Sequence, residues 1–117
     1  MSDELPIFVK WMDFLTWLMP VTEKIPRRAR ASYATRIESI ALDVAQALVV
    51  ARYTKTTEAQ LQSINLLIEQ LRILLRLGHR LNYFSNESYK HGMRSIDEVG
   101  RMLGSWMKSL TTKKNPG

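Results

Sequence analysis

Arginines are the residues of this chain whose type and spacing best suit a chemical task. Arg72, Arg76 and Arg80 recur at every fourth position, so on a helix they would form one basic ridge. Glu69 is the only acidic residue within three or four positions of this ridge, and unpaired like charges at that spacing destabilise a helix. Because guanidinium groups bind phosphates and carboxylates through paired hydrogen bonds, the ridge predicts a binding surface for an acidic partner.

Two further groups of arginines extend this candidate surface. One group follows Pro26, where residues 27–36 hold four arginines and no acidic residue. The other group places two arginines seven positions apart, which puts them on one face of the last predicted helix. We predict that nucleic acid or an acidic protein surface binds through nine arginines: Arg27, Arg28, Arg30, Arg36, Arg72, Arg76, Arg80, Arg94 and Arg101.

The remaining polar residues do not form a pattern that is typical of catalysis. His79 and His91 lie on different predicted helices, without a carboxylate at metal-ligand spacing. The chain has no cysteine, no glycine-rich phosphate loop and none of the common hydrolase motifs. Asp97 and Glu98 are adjacent, so on a helix their side chains point about 100° apart and cannot share a proton. We therefore predict a protein that is not an enzyme, with no metal site and no cofactor.

The elements that position these residues are predicted to be helices, because apolar residues recur with helical spacing along the whole chain. Four prolines and five glycines are too few for the turns of an all-β protein. The spacing predicts helices near residues 7–25, 30–53 and 57–84 and a fourth after Ser85, with a kink or break at Pro20. We predict an all-α, antiparallel up-down-up-down four-helix bundle, a single domain over residues 1–117 with a disordered tail at 111–117.

The third predicted helix carries the clearest apolar seam, and its start carries a capping signal. Residues on the seam alternate in steps of three and four, which is typical of a helix packed inside a bundle. Thr57, or Thr56 beside it, is predicted to cap this helix, and Ser85 to cap the next one. The seam consists of Leu61, Ile64, Ile68, Leu71, Leu75 and Gly78.

Several large apolar residues lie off the predicted seams. A helix of a monomeric bundle would be polar at such positions, and together these residues would form a larger apolar patch than a soluble monomer normally exposes. The sequence therefore predicts a homo-oligomer that buries Leu42, Val49, Leu66, Ile73 and Leu77.

Composition and charge agree with a basic cytoplasmic domain. The chain holds 17 Lys and Arg against 11 Asp and Glu, a net charge of +6. Residues 76–117 carry eight of the basic residues and only three acidic ones, so the charge is concentrated as in proteins that bind acidic partners. No apolar run approaches the roughly 20 residues that span a bilayer, and the first residues are acidic where a signal peptide is basic.

Four segments resemble the accessory variability determinant proteins of diversity-generating retroelements. Residues 11–20 read WMDFLTWLMP, and residues 25–30 read IPRRAR and are followed by Arg36. Residues 71–77 read LRILLRL, and residues 98–108 read EVGRMLGSWMK, which is the most specific of the four segments. The likeness covers roughly residues 5–108, with the segments in the right order.

This resemblance implies a small basic four-helix bundle that assembles as a pentameric barrel. It also implies that the protein partners the element's reverse transcriptase, which copies template RNA into mutagenised cDNA, and that it has no catalytic activity of its own. Three positions depart from the family pattern. Gly78 stands where alanine is usual, Ser105 where a second glycine is usual, and Arg28 where many members have a neutral polar residue.

Two alternatives remain open at this point. The first is the related family of bundles encoded in intervening sequences of large-subunit ribosomal RNA. Its members typically carry an Asn-Ile-Ala-Glu-Gly-like stretch in the second helix, where this chain reads IESIALD at residues 37–43. The second alternative is a structural oligomer with no nucleic-acid role, which salt-sensitive RNA binding would distinguish from the other two.

Overall fold

The computed structural model describes residues 6–114, and the side chains of residues 6–111. The described chain contains four α-helices and no strand, which confirms the all-α prediction. A 3₁₀ turn (Arg27–Ala29) and a π-helical turn (Arg30–Ala34) connect the first two helices. The α-helices are α1 (Pro6–Glu23), α2 (Thr35–Tyr53), α3 (Glu58–Arg80) and α4 (Asn86–Lys114).

The four helices form a bundle of 54 × 28 × 23 Å in which each helix packs on two neighbours. α1 packs on α2 and α4, and α3 packs on the same two helices. The pairs Lys10–Glu98 and Trp17–His91 show that α1 and α4 run in opposite directions, because the residue number rises along α1 as that of its partner on α4 falls. Short connections and antiparallel neighbours are those of an up-down-up-down bundle.

The core lies along the inward stripe of each helix. All six residues of the seam predicted for α3 are buried, from Leu61 to Gly78. Trp11 is fully buried, and its indole Nε1 donates to the carbonyl oxygen of Ala41 at 2.8 Å, which satisfies the one polar atom of the ring. The core therefore joins all four helices, and its α4 part consists of Ile96, Val99 and Leu103.

Local signals set the helix ends close to where the sequence predicts them. Thr57 caps α3 in a reciprocal capping box with Gln60, and the Ser85 hydroxyl accepts from the backbone N–H of Ser88 at 3.0 Å, so both predicted caps are confirmed. α3 ends at Arg80, where Asn82 adopts a left-handed backbone with φ 63°. The N–H of Tyr83 bonds the carbonyl of Gly78 at 2.8 Å, as in a Schellman motif.

Three predicted details differ from the structure. α1 runs through Pro20 to Glu23 without a break, since a proline in the last turn interrupts a single hydrogen bond of the helix. The segment predicted as one helix from residue 30 begins with the π-helical turn and becomes α-helical at Thr35. α4 continues to Lys114, so it includes residues 111–114 of the predicted tail, and residues 115–117 lie outside the described residues.

Candidate binding surface

Arg72 links α3 to α4. Its Nη1 donates to Asp97 Oδ1 on α4, and its Nε lies 3.4 Å from Glu69 Oε1 one turn back on α3. Burial by itself would lower the pKa of this guanidinium, but the hydrogen bond and the charge of Asp97, reinforced by Glu69, raise it above its ordinary value. Spacing along α3 identifies Glu69 as an acidic neighbour of the ridge but not Asp97, which only the packing of α4 on α3 brings near.

The other ridge arginines remain exposed and join those of α4 on one surface. Arg76 and Arg80 follow Arg72 by one and two turns on the same side of α3. On α4, Arg94 and Arg101 lie three positions before and four positions after Asp97, so they share its side of the helix. Within the described chain these four arginines, all exposed, form no ion pair. Their two helices therefore present a single basic surface.

Two lysines extend this surface beyond the predicted arginines. Lys90 precedes Arg94 by four positions, and Lys108 follows Arg101 by seven, so both belong to the same outward stripe of α4. Both side chains are exposed. The spacing 90–94–101–108 was visible in the sequence and could have indicated them. We call the whole surface the basic face; it consists of Arg76, Arg80, Lys90, Arg94, Arg101 and Lys108.

The two acidic residues in the middle of α4 both form ion pairs with basic side chains of neighbouring helices. Asp97 binds Arg72 of α3, and Glu98 Oε1 lies 3.0 Å from Lys10 Nζ of α1. The adjacent side chains diverge as predicted and hold two different helices against α4. Each pair is about half exposed on its acidic side and therefore contributes only about 0–1 kcal/mol to stability. Their larger consequence is that these two carboxylates do not neutralise the basic face.

The arginines of the connection between α1 and α2 have two different environments. Arg30 turns back onto α1, where its Nη1 donates to the backbone oxygens of Glu23 at 2.8 Å and Thr22 at 3.3 Å. It thus caps the last carbonyls of α1, where a cation also interacts favourably with the helix dipole. Arg27 and Arg28 are exposed in the 3₁₀ turn, and neither forms an ion pair within residues 6–114.

Arg36, the last arginine of this group, lies at the start of α2. It lines a shallow groove between α2 and α3, together with Ile40, Gln70, Ile73 and Leu74. Its side chain is exposed and belongs to a different side of the bundle from the basic face, because α4 packs on the other side of α3. The nine predicted arginines therefore divide into the basic face, the connection, Arg36, and the helix-linking Arg72.

Tyr33 brings the connection and the end of α3 together. Tyr33 lies in the π-helical turn, and the centroid of its ring is 5.4 Å from that of Tyr83 and 6.5 Å from that of Phe84. Its hydroxyl donates to the carbonyl oxygen of Leu74. Burial raises the pKa of the Tyr33 phenol above its ordinary value. Gly78 leaves room for this ring, since a Cβ there would lie 2.1 Å from the hydroxyl. Arg27 and Arg28 consequently lie at the end of the bundle where α3 ends.

The five apolar residues predicted to form an oligomer interface are all exposed in the single chain. The exposed fraction ranges from 41% for Val49 to 63% for Leu66. Leu66, Ile73 and Leu77 form an outward stripe on α3, opposite its buried seam. Five further large apolar residues are exposed besides the predicted ones: Val9, Met12, Val50, Tyr53 and Leu81.

No helix among the described residues combines the length and the apolarity that crossing a bilayer requires. No group of three or more His, Asp or Glu side chains in that part of the chain is arranged to hold a metal ion.

Fold and surface together define a small helical-bundle protein with one basic face and an exposed apolar stripe. A family model described as bAvd-like matches residues 7–110, which is most of the chain. The protein belongs to the bAvd-like family, the accessory variability determinants of diversity-generating retroelements. This agrees with the resemblance seen in the four sequence segments. A comparison with curated proteins gives no match.

Proposed function

We propose that the protein is a non-catalytic accessory subunit of a diversity-generating retroelement. It acts in the cytoplasm as a basic homo-oligomer that binds the element's reverse transcriptase and its template RNA and cDNA, and so supports mutagenic retrohoming. The observation that carries this proposal is the basic face in a chain of this family, where the carboxylates of Asp97 and Glu98 in the middle of α4 are already bound to Arg72 and Lys10.

Nucleic acid is a suitable ligand for this face because arginines bind phosphates through paired hydrogen bonds. The described face offers no recognition helix or other base-reading motif, so contacts to the backbone dominate, and RNA and DNA of different sequence bind alike. Each neutralised phosphate releases counterions, so the affinity falls steeply with salt. An oligomer repeats the face in every subunit, and several weak contacts then act together through avidity.

The reverse transcriptase itself handles RNA and needs a basic surface of its own. The surface that it presents to this protein therefore contains local acidic residues, or RNA lies between the two proteins. Either arrangement uses arginines that form no ion pair within the described residues, such as Arg76 and Arg80 on α3 and Arg36 on α2. One exposed ion pair contributes about 0–1 kcal/mol, so the complex depends on several of them at once.

Charge reversal at two positions of the basic face tests the proposal. Arg76→Glu with Arg80→Glu should abolish both co-purification of the reverse transcriptase and cDNA synthesis, while helicity and oligomer mass stay unchanged. A control with the same change in charge is Arg52→Glu with Lys55→Glu, at the opposite end of the bundle, which should retain both activities. If the folded, oligomeric Arg76/Arg80 variant still binds the enzyme and supports synthesis, the basic face is merely a solvated surface.

Self-association is tested separately at the apolar stripe of α3. Light scattering of the purified chain should give a mass several times 13.6 kDa, and the family resemblance implies five copies. Ile73→Glu with Leu77→Glu should break the assembly without unfolding the bundle, because both side chains are exposed in the single chain. A monomeric wild-type protein at micromolar concentration would contradict the proposed oligomer. An oligomer without salt-sensitive nucleic-acid binding would instead indicate a purely structural protein.

A further inference from the structure

α1 and α4 meet at an aromatic contact on the other side of α4 from Arg72. The ring centroids of Trp17 and His91 are 4.9 Å apart, and the angle between the two ring planes is 40°. Trp17 is half-buried and His91 is exposed. Gly92 lets the indole lie against α4, since a Cβ there would come within 2.8 Å of it. Phe14 supports the indole from within α1 at 5.7 Å. The pair is thus fixed in place and open to solvent on the His91 side.

This aromatic pair borders the basic face. Arg94 follows His91 by three positions, so their Cβ atoms are neighbours at about 5–6 Å on the helix. Lys90 directly precedes His91, and both basic side chains are exposed. The acidic residues one turn away on the two helices are Asp13 and Glu87. They favour a path for a polyanion that stays on the Arg94 side of the pair.

We propose that the Trp17–His91 pair stacks an unpaired base of a single-stranded nucleic acid whose phosphates lie on Arg94 and the rest of the basic face. The protein would then bind single strands more tightly than duplexes of the same length. This inference rests on the proposed nucleic-acid binding and specifies its ligand.

Two physical arguments favour a single strand over a duplex. An aromatic side chain can stack only on a base whose face is free, and the faces of paired bases are covered by their neighbours in the duplex. A basic groove flanked by aromatic side chains is the usual arrangement for binding single strands. Every base has a π-face, so stacking at this pair is compatible with binding that does not depend on sequence.

The test compares single-stranded RNA with duplex RNA of equal length in a titration with the oligomeric protein. His91→Ala and Trp17→Leu should each lower the affinity for the single strand about five- to 100-fold and leave the duplex affinity and the salt dependence unchanged. Tyr53→Leu is a matched control, because Tyr53 is an exposed aromatic residue beside Arg52 at the far end of α2, and it should change neither affinity. Arg94→Gln should weaken both ligands and reduce the salt slope by about one.

Each outcome supports or overturns the inference. Equal wild-type affinities for the two forms, or variants at Trp17 and His91 that bind like wild type, overturn it and leave the proposed function intact. Variants that keep RNA affinity and lose the reverse transcriptase also overturn it, because the pair would then be a protein contact. No nucleic-acid binding by the wild type at low salt refutes the proposed function itself. Because His91 is exposed, His91→Ala decides the question even if Trp17→Leu misfolds.

Discussion

The arginines of the α1–α2 connection and those of α3 look alike in the sequence, but the fold divides each group in the same way. One member of each group is used inside the chain, Arg30 on the carbonyls that end α1 and Arg72 on Asp97 of α4. Their neighbours Arg28 and Arg76 are exposed and form no ion pair with any part of the chain that the structure describes. Sequence clustering therefore identifies a basic region, whereas the packing around each arginine determines which residues remain available to a partner.

The two fixed arginines also differ in what they hold. Arg30 binds backbone oxygens, so its contacts end a helix and depend on where the connection turns back. Arg72 binds a carboxylate of another helix and so links α3 to α4. Tyr33 and Gly78 join the two regions to each other. The substitutions below first test the contact between Tyr33 and Gly78. They then compare Arg30 and Arg72, which bind within the chain, each with an exposed neighbouring arginine.

The largest effect on stability is expected at the contact between Tyr33 and Gly78. Gly78→Ala places a Cβ 2.1 Å from the Tyr33 hydroxyl and 2.4 Å from the Phe84 ring, and both rings are stiff. We expect the free energy of unfolding to fall by about 1–3 kcal/mol in a urea titration, although alanine favours a helix by about 1 kcal/mol. Adding Tyr33→Phe should restore part of the loss, since it removes the closest atom.

Gly104→Ala is the matched control for this change. The position lies in the middle of α4, and a Cβ there would meet no atom within 4 Å. The substitution should leave the stability unchanged or raise it by up to about 1 kcal/mol through helix propensity. If both alanine variants have the same stability, Tyr33 is not confined by Gly78, and the connection and α3 are joined less tightly than described.

An intermediate effect is expected from Arg30→Ala. This change removes two charged hydrogen bonds to the end of α1 and should lower the free energy of unfolding by about 1 kcal/mol. Arg28→Ala, two residues earlier on the same connection, should change stability by less than about 0.5 kcal/mol. Thermal or urea unfolding of the two variants measures the difference. Equal stabilities would mean that the contacts of Arg30 do not stabilise the end of α1.

The smallest effect is expected from Arg72→Gln. Its pairs with Asp97 and Glu69 are partly exposed, so the loss should be about 0.5–1 kcal/mol, and Asp97→Asn should show a similar loss. Arg76→Gln, one turn along α3, should leave stability unchanged and instead lower the slope of the salt dependence of RNA binding by about one. The opposite pattern, with Arg76 stabilising the fold and Arg72 binding RNA, would reverse the assignment of the two residues.

Much of the fold follows from the sequence because its signals are local. The seam of α3, with residues such as Ile64 and Ile68, alternates with the helical period and needs no knowledge of the partner helices. The caps at Thr57 and Ser85 depend on residues three positions away. The π-helical turn before Thr35 was not predicted, and its Tyr33 packs on Tyr83 and Phe84, residues far along the chain that local spacing cannot identify.

The sequence predicted which residues belong to the candidate site but not how tertiary contacts divide them. Helical spacing identified the ridge of α3 and the pair Arg94 and Arg101, and it also contained the signal for Lys90 and Lys108, which was overlooked. Spacing along one helix could not identify the carboxylate that reaches Arg72 from another helix. It likewise could not show that Arg30 would turn back onto α1, since that contact depends on the path of the connection.

The sequence by itself determined the four helices, their inward stripes and the apolar residues outside those stripes, because helical periodicity is read from neighbouring positions. It also determined the excess of basic residues, which follows from composition alone. Only the tertiary structure decided that two arginine-bearing helices form one basic face, that Asp97 and Glu98 are occupied by Arg72 and Lys10, and that His91 meets Trp17. These contacts join residues on different helices. Their existence depends on the register and the angle at which the helices pack, which core packing fixes and local spacing does not.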